Sequence, residues 1–353
     1  MNKILVTGGC GFVGSNLAIN FKKQFPSSSV TCLDNLKRRG SEVSIDRLKK
    51  HDIDFIHGDI RNPEDINGID TDLIIECSAD ASVLSSYGSG SKYLLHSNLY
   101  GTVNCLELAK KNKAKVVFLS TSRVYPFKRI NDLKLIEEET RFSYFNKEGD
   151  TGVGKNGITE FFPIDGPKSL YGASKYASEI IIQEYVDMHN LDIYINRCGV
   201  LGGPWQFGSA EQGFIALWVA SHYYKKSLNY IGFGGSGKQV RDILHVDDLY
   251  SLIVTQVTEN SVFQGIPYNI GGGLNGSVSL LELTQICEKV TGNKIIIDSV
   301  SKTRKADIPW YISDYSKISN TCDWIPKKNT TEIVSDVFEW INNNHKLCKR
   351  FFS

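Results

Sequence analysis

Two side chains suited to proton transfer lie four positions apart in the segment YGASK, which places Tyr171 and Lys175 in a Y-x-x-x-K pattern. Positions i and i+4 of an α-helix share one face, so this spacing brings the phenol and the ammonium together. An ammonium close to a phenol favours the phenolate, and a phenol with a pKa near ~10 needs such help to act as a base at neutral pH. The pair is therefore a candidate proton-transfer centre, although the pattern alone also fits an ordinary helix pair.

A glycine-rich turn near the N-terminus could bind phosphate. Gly8, Gly11 and Gly14 form a G-x-x-G-x-x-G pattern between an apolar run at residues 3–7 and a helical pattern at 11–25. The first glycine permits a tight turn, the second lets the backbone approach a pyrophosphate, and the third allows close packing of helix on sheet. Free N–H groups at the start of that helix then face the anion. The position of the turn between a strand and a helix favours this interpretation over a plain glycine turn.

A carboxylate at the end of the second predicted strand indicates which dinucleotide binds. Asp34 can accept hydrogen bonds from both ribose hydroxyls and would repel a 2′-phosphate, which predicts NAD rather than NADP. Arg38 lies nearby and is the residue type that would accommodate such a phosphate. Asp59 and Ile60, after the third strand, are placed to meet the adenine edge; for Asp59 the alternative is a loop carboxylate that caps a turn.

Short apolar runs alternate with helical patterns over the first part of the chain. The predicted strands are residues 3–7, 30–34, 53–56, 73–76, 116–120 and 192–197, and the clearest helices are 11–25, 98–111 and 171–189. This alternation predicts βαβ units and a parallel sheet covered on both faces. Right-handed crossovers then produce an α/β, Rossmann-type doubly wound fold.

The alternation of strands and helices is interrupted at two places, and these places indicate the expected domain boundaries. Residues 126–166 form a polar, glycine-bearing insert, and the chain becomes rich in turns after Gly199. We expect an NAD-binding Rossmann domain at residues 1–198, joined by part of 244–265. We expect a smaller α/β, substrate-binding domain at 199–353.

Composition excludes several classes of protein. The 353 residues include 40 Lys and Arg against 39 Asp and Glu, a net charge of +1 that argues against nucleic acid as a partner. Eight cysteines without a CxxC pair and seven scattered histidines predict thiols rather than a metal site. No signal-peptide pattern and no apolar window of membrane-spanning length is present. We therefore expect a cytoplasmic protein with no metal and no membrane partner.

One stretch after the fifth predicted strand links these motifs to a known family. The segment STSRVY at 120–125, together with the glycine turn and Y-x-x-x-K, resembles extended short-chain dehydrogenases/reductases of the nucleotide-sugar epimerase and dehydratase group. The resemblance covers almost the full length. It implies that Thr121 completes a catalytic set with Tyr171 and Lys175, and that Asn98, in N-x-x-G-T-x-N, is the group's active-site asparagine. The expected cofactor contacts are Gly8, Gly11, Phe12, Val13, Gly14, Asp34, Asn35, Arg38, Asp59, Ile60, Asn98, Tyr171 and Lys175.

The same stretch discriminates within the group. The 4,6-dehydratases carry Asp-Glu after the catalytic Thr to eliminate water, whereas Ser122 and Arg123 stand here, so the resemblance implies an epimerase. Several segments resemble the CDP-paratose 2-epimerases more closely: STSRVY, DGPKSLYGASK, NRCGVLGGPWQFG, EQG and YIGFGGSGKQVRDILHVDDL. Two departures are Pro126, in place of a glycine, and the stretch CSAD at 77–80, in place of a His-x-Ala-Ala type sequence.

The resemblance also implies a nucleotide-diphosphate sugar, with a CDP-sugar favoured. Arginine suits phosphate because its planar fork matches two oxygens. Arg241 and Arg304 match the group's nucleotide-binding arginines; an ion pair with Asp242 or Asp307 is the alternative for each. The remaining expected substrate contacts are Thr121, Ser122, Arg123, Gln206 and Gln212. The insert either covers the hexose or is a flexible surface loop.

Two alternative functions stay open at this point. A 4-epimerase of UDP- or GDP-sugars would use the same residues, because the seating of the substrate decides which carbon reacts. A non-catalytic dinucleotide sensor could share the fold.

The helices at 98–111 and 171–189 are those that commonly pair between subunits in this superfamily, so we expect a homodimer or homotetramer.

Overall fold

The computed structural model describes residues 1–83, 90–209, 212–259 and 263–352. Contacts divide the chain into two compact units that interleave in sequence. The first unit is Met1–Val124, Leu170–Arg197 and Leu249–Tyr268, and the second is Tyr125–Ser169, Cys198–Asp248 and Asn269–Ser353. The insert therefore groups with the C-terminal residues, whereas the sequence placed it inside the first domain.

The strands are short throughout. In chain order they are β1 Lys3–Thr7, β2 Ser29–Asp34, β3 Asp54–His57, β4 Leu73–Glu76, β5 Lys115–Thr121, β6 Leu135–Glu137, β7 Phe142–Tyr144, β8 Val153–Gly154, β9 Gly157–Ile158, β10 Ile193–Cys198, β11 Val200–Gly202, β12 Leu228–Ile231, β13 Val240–His245, β14 Pro267–Ile270, β15 Ser277–Ser279, β16 Ile297–Val300 and β17 Trp310–Tyr311. All six strands predicted in the first part of the chain are present, with ends shifted by one residue at most.

The helices lie between these strands. They are α1 Phe12–Gln24, α2 Val43–Lys49, α3 Pro63–Ile66, α4 Ser91–Leu95, α5 Gly101–Asn112, α6 Phe127–Asn131, α7 Ser169–His189, α8 Phe214–Tyr223, α9 Val246–Thr258, α10 Leu280–Thr291, α11 Ser316–Cys322, α12 Thr330–Asn343 and α13 His345–Phe352. Among the described residues, no helix combines the length and apolarity that a membrane crossing requires.

Seven strands form one sheet in the order β14-β10-β5-β4-β1-β2-β3. The pairs β1–β2, β1–β4, β2–β3 and β4–β5 are parallel. The chain moves from β1 to β2 and β3 on one side and from β4 to β5 on the other. The switch point at which such sheets bind ligands therefore lies between the carboxyl ends of β1 and β4. The predicted doubly wound fold is confirmed.

The core of the first unit explains why these strands read as continuous apolar runs. A parallel sheet covered on both faces buries successive side chains of every strand. Leu5, Leu33, Ile74, Val116 and Ile193, one from each of five strands, are at most 1% exposed and lie in one cluster. Helical side chains complete that cluster: Cys105, Leu106, Leu108, Ala109 and Ile182.

The second unit combines a small sheet with helices. Strand β13 pairs in parallel with β11 and β17 and antiparallel with β15. Helices α8, α10 and α12 supply most of its apolar core, in which Trp218 and Trp340 are among the buried side chains. Capping boxes at Ser279 and Asn329 begin α10 and α12 and satisfy N–H groups that would otherwise lack partners.

The insert is built from two small hairpins, β6–β7 and β8–β9, rather than irregular chain alone. Arg141 connects the insert to the C-terminal part of the second unit, because its guanidinium donates hydrogen bonds to Glu282 at 2.5 Å and to Ser277 Oγ at 3.0 Å. The Ile158 N–H donates to the Ile312 carbonyl at 2.8 Å. These partners lie far along the chain, which is why local sequence patterns did not reveal the hairpins.

One carboxyl group is fully buried in the second unit. Asp242, on β13, is 0% exposed, and its Oδ2 accepts the Gly273 N–H at 3.3 Å. A Cβ at Gly271 would lie 2.0 Å from that same oxygen, so the backbone encloses the carboxyl group. Burial raises the pKa of Asp242 to about 6, and hydrogen bonds from Ser313 and Gly273 only partly oppose it.

Asp242→Asn is expected to flatten the pH dependence of stability. The folded pKa lies above the unfolded value of ~3.9, so the favourable contribution of Asp242 is complete below that value and is lost as pH rises through 6. The shift corresponds to at most about 3 kcal/mol. Thermal unfolding from pH 5 to 8 measures it: the melting temperature of Asp242→Asn relative to wild type should rise with pH. A difference that does not vary with pH would contradict the assignment.

Candidate active site

The predicted glycine turn joins β1 to α1 as expected. Gly8 has a positive φ of 63°, and its carbonyl accepts the Gly11 N–H at 3.0 Å. A Cβ at Gly14 would lie 2.3 Å from that carbonyl oxygen, so only glycine lets the helix start this close to the turn. A Cβ at Gly11 would meet a single atom within 4 Å, at 3.1 Å, and its outer side is open.

Gly9 is a second close contact that sequence reasoning missed. A Cβ there would lie 2.4 Å from Cys32 Cβ, on the neighbouring strand β2, and 2.8 Å from the Val6 carbonyl oxygen. The turn is therefore pressed against the sheet as well as against α1. The Gly-Gly dipeptide was the available signal, but the spacing rule counts only every third position.

Asp34, at the end of β2, is locked to the same turn. Its Oδ2 accepts the Cys10 N–H at 3.0 Å and its Oδ1 accepts the Leu36 N–H at 2.8 Å. The carboxylate is 8% exposed, and this burial raises its pKa while the backbone hydrogen bonds oppose the rise. The structure thus places the predicted ribose-binding carboxylate directly beside the predicted phosphate-binding turn.

Asp59, predicted at the adenine edge, belongs to a charged cluster. Its Oδ2 accepts hydrogen bonds from Arg61 at 2.6 Å and from Asn35 Nδ2 at 2.8 Å. Burial disfavours its charged form, yet these bonds outweigh that cost and lower the pKa of Asp59 to about 2. The Arg61 guanidinium lies 4.5 Å above the Tyr93 ring. Arg61 and Tyr93 were not predicted, because their pairing joins α4 to a loop distant in sequence.

The other predicted cofactor residues lie in the same unit. Ile60 is buried, and a Cβ at Gly101 would lie 2.4 Å from its Cδ1, so α5 packs tightly on it. Burial lowers the pKa of the Arg38 guanidinium, and the charge of Asp80 opposes that shift. Phe12 and Val13 form the first turn of α1, which contains no acidic residue that would repel an anion.

The predicted catalytic residues come from one strand and one helix. Thr121 is the last residue of β5 and is 7% exposed. Its Oγ1 accepts the Arg123 N–H at 3.2 Å within the 3₁₀ turn Ser122–Val124. Tyr171 and Lys175 lie on the first turns of α7, and Lys175 is 1% exposed.

Asn98 links this helix to the loop after β4. Its Nδ2 donates to the Asp80 carbonyl at 3.0 Å and to Ser174 Oγ at 3.2 Å, and its Oδ1 accepts the Asp80 N–H at 2.8 Å. Asn98 lies in the π-helical turn His96–Tyr100, where the sequence predicted regular α-helix from residue 98. Such turns are frequent at functional sites. Here the Asn98 amide contacts Ser174, which lies between Tyr171 and Lys175 in the sequence.

A buried ion pair anchors α7 to the sheet. Glu179 and Arg197, on β10, form it with an Nη2–Oε2 distance of 2.7 Å, and they are 2% and 5% exposed. Ser120 Oγ also donates to Glu179 Oε1. Because Ser120 precedes Thr121 and Glu179 follows Lys175 by four residues, this network sets α7 against the end of β5.

The predicted substrate glutamines lie in the second unit. Gln206 Nε2 donates to the Leu201 carbonyl at 3.0 Å, and a Cβ at Gly213 would lie 2.9 Å from Gln206 Cδ. The Gln206 side chain therefore stabilises the conformation of the loop to which it belongs. Gln212 exchanges backbone hydrogen bonds with Ser209, and residues 210–211 between them are outside the described part.

The two predicted phosphate-binding arginines both lie near Asp307, one through its side chain and the other through its backbone. Arg241 Nη2 bonds Asp307 Oδ1 at 2.9 Å and the Ile308 carbonyl at 2.7 Å. The Asp307 N–H lies 3.3 Å from the Arg304 carbonyl, which places Arg304 at the same turn. The ion pair weighed as an alternative for Arg241 is present, with Asp307 rather than Asp242. Across the described residues, no group of three His, Cys, Asp or Glu side chains is arranged to hold a metal.

Glu179→Ala is expected to cost about 3–5 kcal/mol of unfolding free energy, because it leaves the Arg197 guanidinium buried without its counter-charge. Chemical denaturation measures this loss. The matched control is Glu137→Ala, which breaks the exposed pair with Lys238 and should change stability little. Equal losses in the two variants would show that burial does not strengthen the Glu179–Arg197 pair.

Comparison with known proteins places these features in a family. Residues 4–271 match the model of the NAD dependent epimerase/dehydratase family. A CDP-paratose 2-epimerase from Salmonella typhi is 30% identical over 350 residues, which cover 97% of this chain and 99% of that protein.

Solved structures agree on the fold. A dTDP-glucose 4,6-dehydratase from Bacillus anthracis, in complex with NAD, superposes with a TM-score of 0.77 at 26% identity, covering 99% of this chain and all of that one. A UDP-glucuronic acid 4-epimerase from Bacillus cereus superposes with a TM-score of 0.79 at 23% identity, covering 97% and 99%. The glycine turn, the carboxylate of Asp34 and the Tyr171–Lys175 helix face thus stand in a chain that belongs to the NAD dependent epimerase/dehydratase family.

Proposed function

We propose that this enzyme epimerises a nucleotide-diphosphate sugar with bound NAD, and that its reaction is the conversion of CDP-paratose to CDP-tyvelose. One observation supports epimerisation above all. The segment at the end of β5 supplies Thr121 and continues with Ser122 and Arg123, where the 4,6-dehydratases that this chain resembles carry Asp-Glu. No carboxyl pair is therefore present at these two positions to expel water. The 30% identity to a CDP-paratose 2-epimerase supports the finer assignment, while dTDP-glucose 4,6-dehydratases are relatives as well.

The residues of the first unit fit NAD. The outer side of Gly11 is open, a Cβ at Gly14 would block the turn, and the first turn of α1 contains no acidic side chain that would repel an anion. Asp34 is held beside that turn with both oxygens already oriented. Gly8, Gly11 and Gly14 would hold the pyrophosphate and Asp34 the adenosine ribose. Bound NAD supplies reversible acceptance of hydride at the reacting sugar carbon.

Three side chains, Tyr171, Lys175 and Thr121, have different roles in the proposed proton transfer. Tyr171, as the phenolate, takes the proton from the hydroxyl at that carbon, and Lys175 stabilises the phenolate by its charge. The Thr121 oxygen already accepts the Arg123 N–H, so its own hydrogen is available for donation to the reacting oxygen. A flat keto-sugar results, and its turning in the site exposes the opposite face. Tyr171 then returns the proton and no net oxidation occurs.

The nucleotide must stay anchored while the sugar turns. We assign its phosphates to Arg241 and Arg304, because a guanidinium matches phosphate oxygens in pairs. The Asp307 carboxylate holds Arg241 in place at 2.9 Å until phosphate competes for it. Ser122, Arg123, Gln206 and Gln212 are assigned to the sugar and its linkage.

Oligomerisation remains a prediction. The two helical segments expected to pair between subunits expose apolar side chains: Tyr100 is 60% exposed, Ile180 46% and Met188 68%. A homodimer or homotetramer would bury these groups.

Tyr171→Phe is expected to lower turnover by at least about 10²-fold, since general acid–base catalysis contributes that much, while NAD binding persists. Product formation measures turnover, and the amount of NAD released when the purified variant is denatured measures cofactor binding. In D₂O, the wild-type product should carry no deuterium at the epimerised carbon, because the hydrogen that leaves the carbon also returns to it. Near wild-type turnover of Tyr171→Phe, or deuterium at that carbon, would refute the scheme.

CDP-paratose is expected to be the best substrate among CDP-, UDP- and GDP-hexoses, with inversion at C2 read by NMR of the product. Inversion at C4 of a UDP- or GDP-sugar would replace the C2 assignment with a 4-epimerase. Loss of water would instead identify a dehydratase. No turnover of the panel with NAD bound would favour a non-catalytic sensor.

A further inference from the structure

A carboxylate that the proposed mechanism does not use lies beneath the catalytic helix. Glu76 is the last residue of β4 and is 0% exposed. In the sheet it pairs with Thr7 on one side, at the edge of the glycine turn, and with Phe118 on the other. It therefore lies at the switch point of the sheet, between the cofactor turn and the strand that ends in Thr121.

Its contacts point to Lys175. Glu76 Oε1 is 3.9 Å from Lys175 Nζ and accepts a hydrogen bond from Thr102 Oγ1 at 2.7 Å. Among the described residues, Glu76 Oε2 has no hydrogen-bond partner. The ammonium lies 4.3 Å from the centre of the Phe118 ring, so it is enclosed by apolar groups on that side.

The surroundings favour a charge pair. Burial raises the pKa of Glu76, and the charge of Lys175 with the Thr102 hydrogen bond opposes that rise. Cys105, on α5, also faces the pair; burial raises the pKa of its thiol well above the ordinary value, so it stays uncharged. An ammonium that is 1% exposed loses most of its hydration, and a carboxylate within about 4 Å is the group that compensates for this loss.

We propose that Glu76 is a positioning residue that keeps Lys175 protonated and holds its ammonium under Tyr171. This inference rests on the catalytic role proposed for Tyr171 and Lys175. Glu76 touches neither substrate nor cofactor in this scheme. Its charge instead sets the upper end of the pH range over which Lys175 can stabilise the phenolate.

The pH profile of kcat/KM for Glu76→Gln tests the proposal. The basic limb, where Lys175 loses its proton, should move to lower pH by about one unit or more, since an opposite charge at this distance shifts a pKa by about 1–3 units. Thr102→Val is the matched control, because it removes the hydrogen bond but not the charge, and its basic limb should stay in place. Glu76→Asp keeps the charge and should also keep the limb.

A measurement without cofactor or substrate separates this role from a purely structural one. In Glu76→Gln, unfolding should take up a proton at Lys175, so the deficit in melting temperature relative to wild type should narrow from pH 7 to pH 10. A basic limb that coincides with wild type, or that moves equally in the Gln and Asp variants, overturns the inference. If Tyr171→Phe is inactive in that case, only the role of Glu76 fails. An active Tyr171→Phe would refute the proposed function itself.

Discussion

The buried face of α7 brings charged groups onto a sheet whose core is apolar, and the geometry of the site depends on how those charges are paired with charged residues of the strands. Glu179 meets Arg197 and Ser120, and Lys175 lies 3.9 Å from Glu76. An unpaired buried charge costs several kcal/mol, so rotation or sliding of the helix is strongly disfavoured. The partners come from β10, β5 and β4, three strands of one sheet. Charge pairing thus contributes, together with packing, to the position of the helix that carries Tyr171.

A second constraint acts at the glycine turn that follows β1. Gly9 and Gly14 let the turn approach β2 and α1, and Gly8 lets it approach the backbone of Cys77 after β4, to distances that a Cβ would block. The backbone N–H groups of this turn fix its shape, because the Cys10 N–H donates to Asp34 and the Gly11 N–H donates to the Gly8 carbonyl. The near-zero net charge of the chain fits this arrangement, since a small dianion can be held by a few oriented groups.

Periodicity predicted the first unit well, because its information is local. Each buried strand is a short apolar run, and each helix shows a repeat that needs no knowledge of distant residues. The insert was predicted less well. Its hairpins are held by Arg141 bonding Glu282 and by Ile158 bonding Ile312, residues that lie far along the chain. The π-helical turn around Asn98 was also missed, since it differs from α-helix by a single hydrogen-bond step.

The sequence by itself determined the face shared by Tyr171 and Lys175, the glycine turn and the carboxylate of Asp34, because each follows from spacing along a helix or from the end of a strand. Only the tertiary structure decided which groups meet these residues. Strand order brings Glu76 beneath Lys175. The fold of the second unit pairs Arg241 with Asp307, which lies 66 residues away in the sequence. Such contacts depend on through-space distances between segments remote in the chain, and no local pattern encodes them.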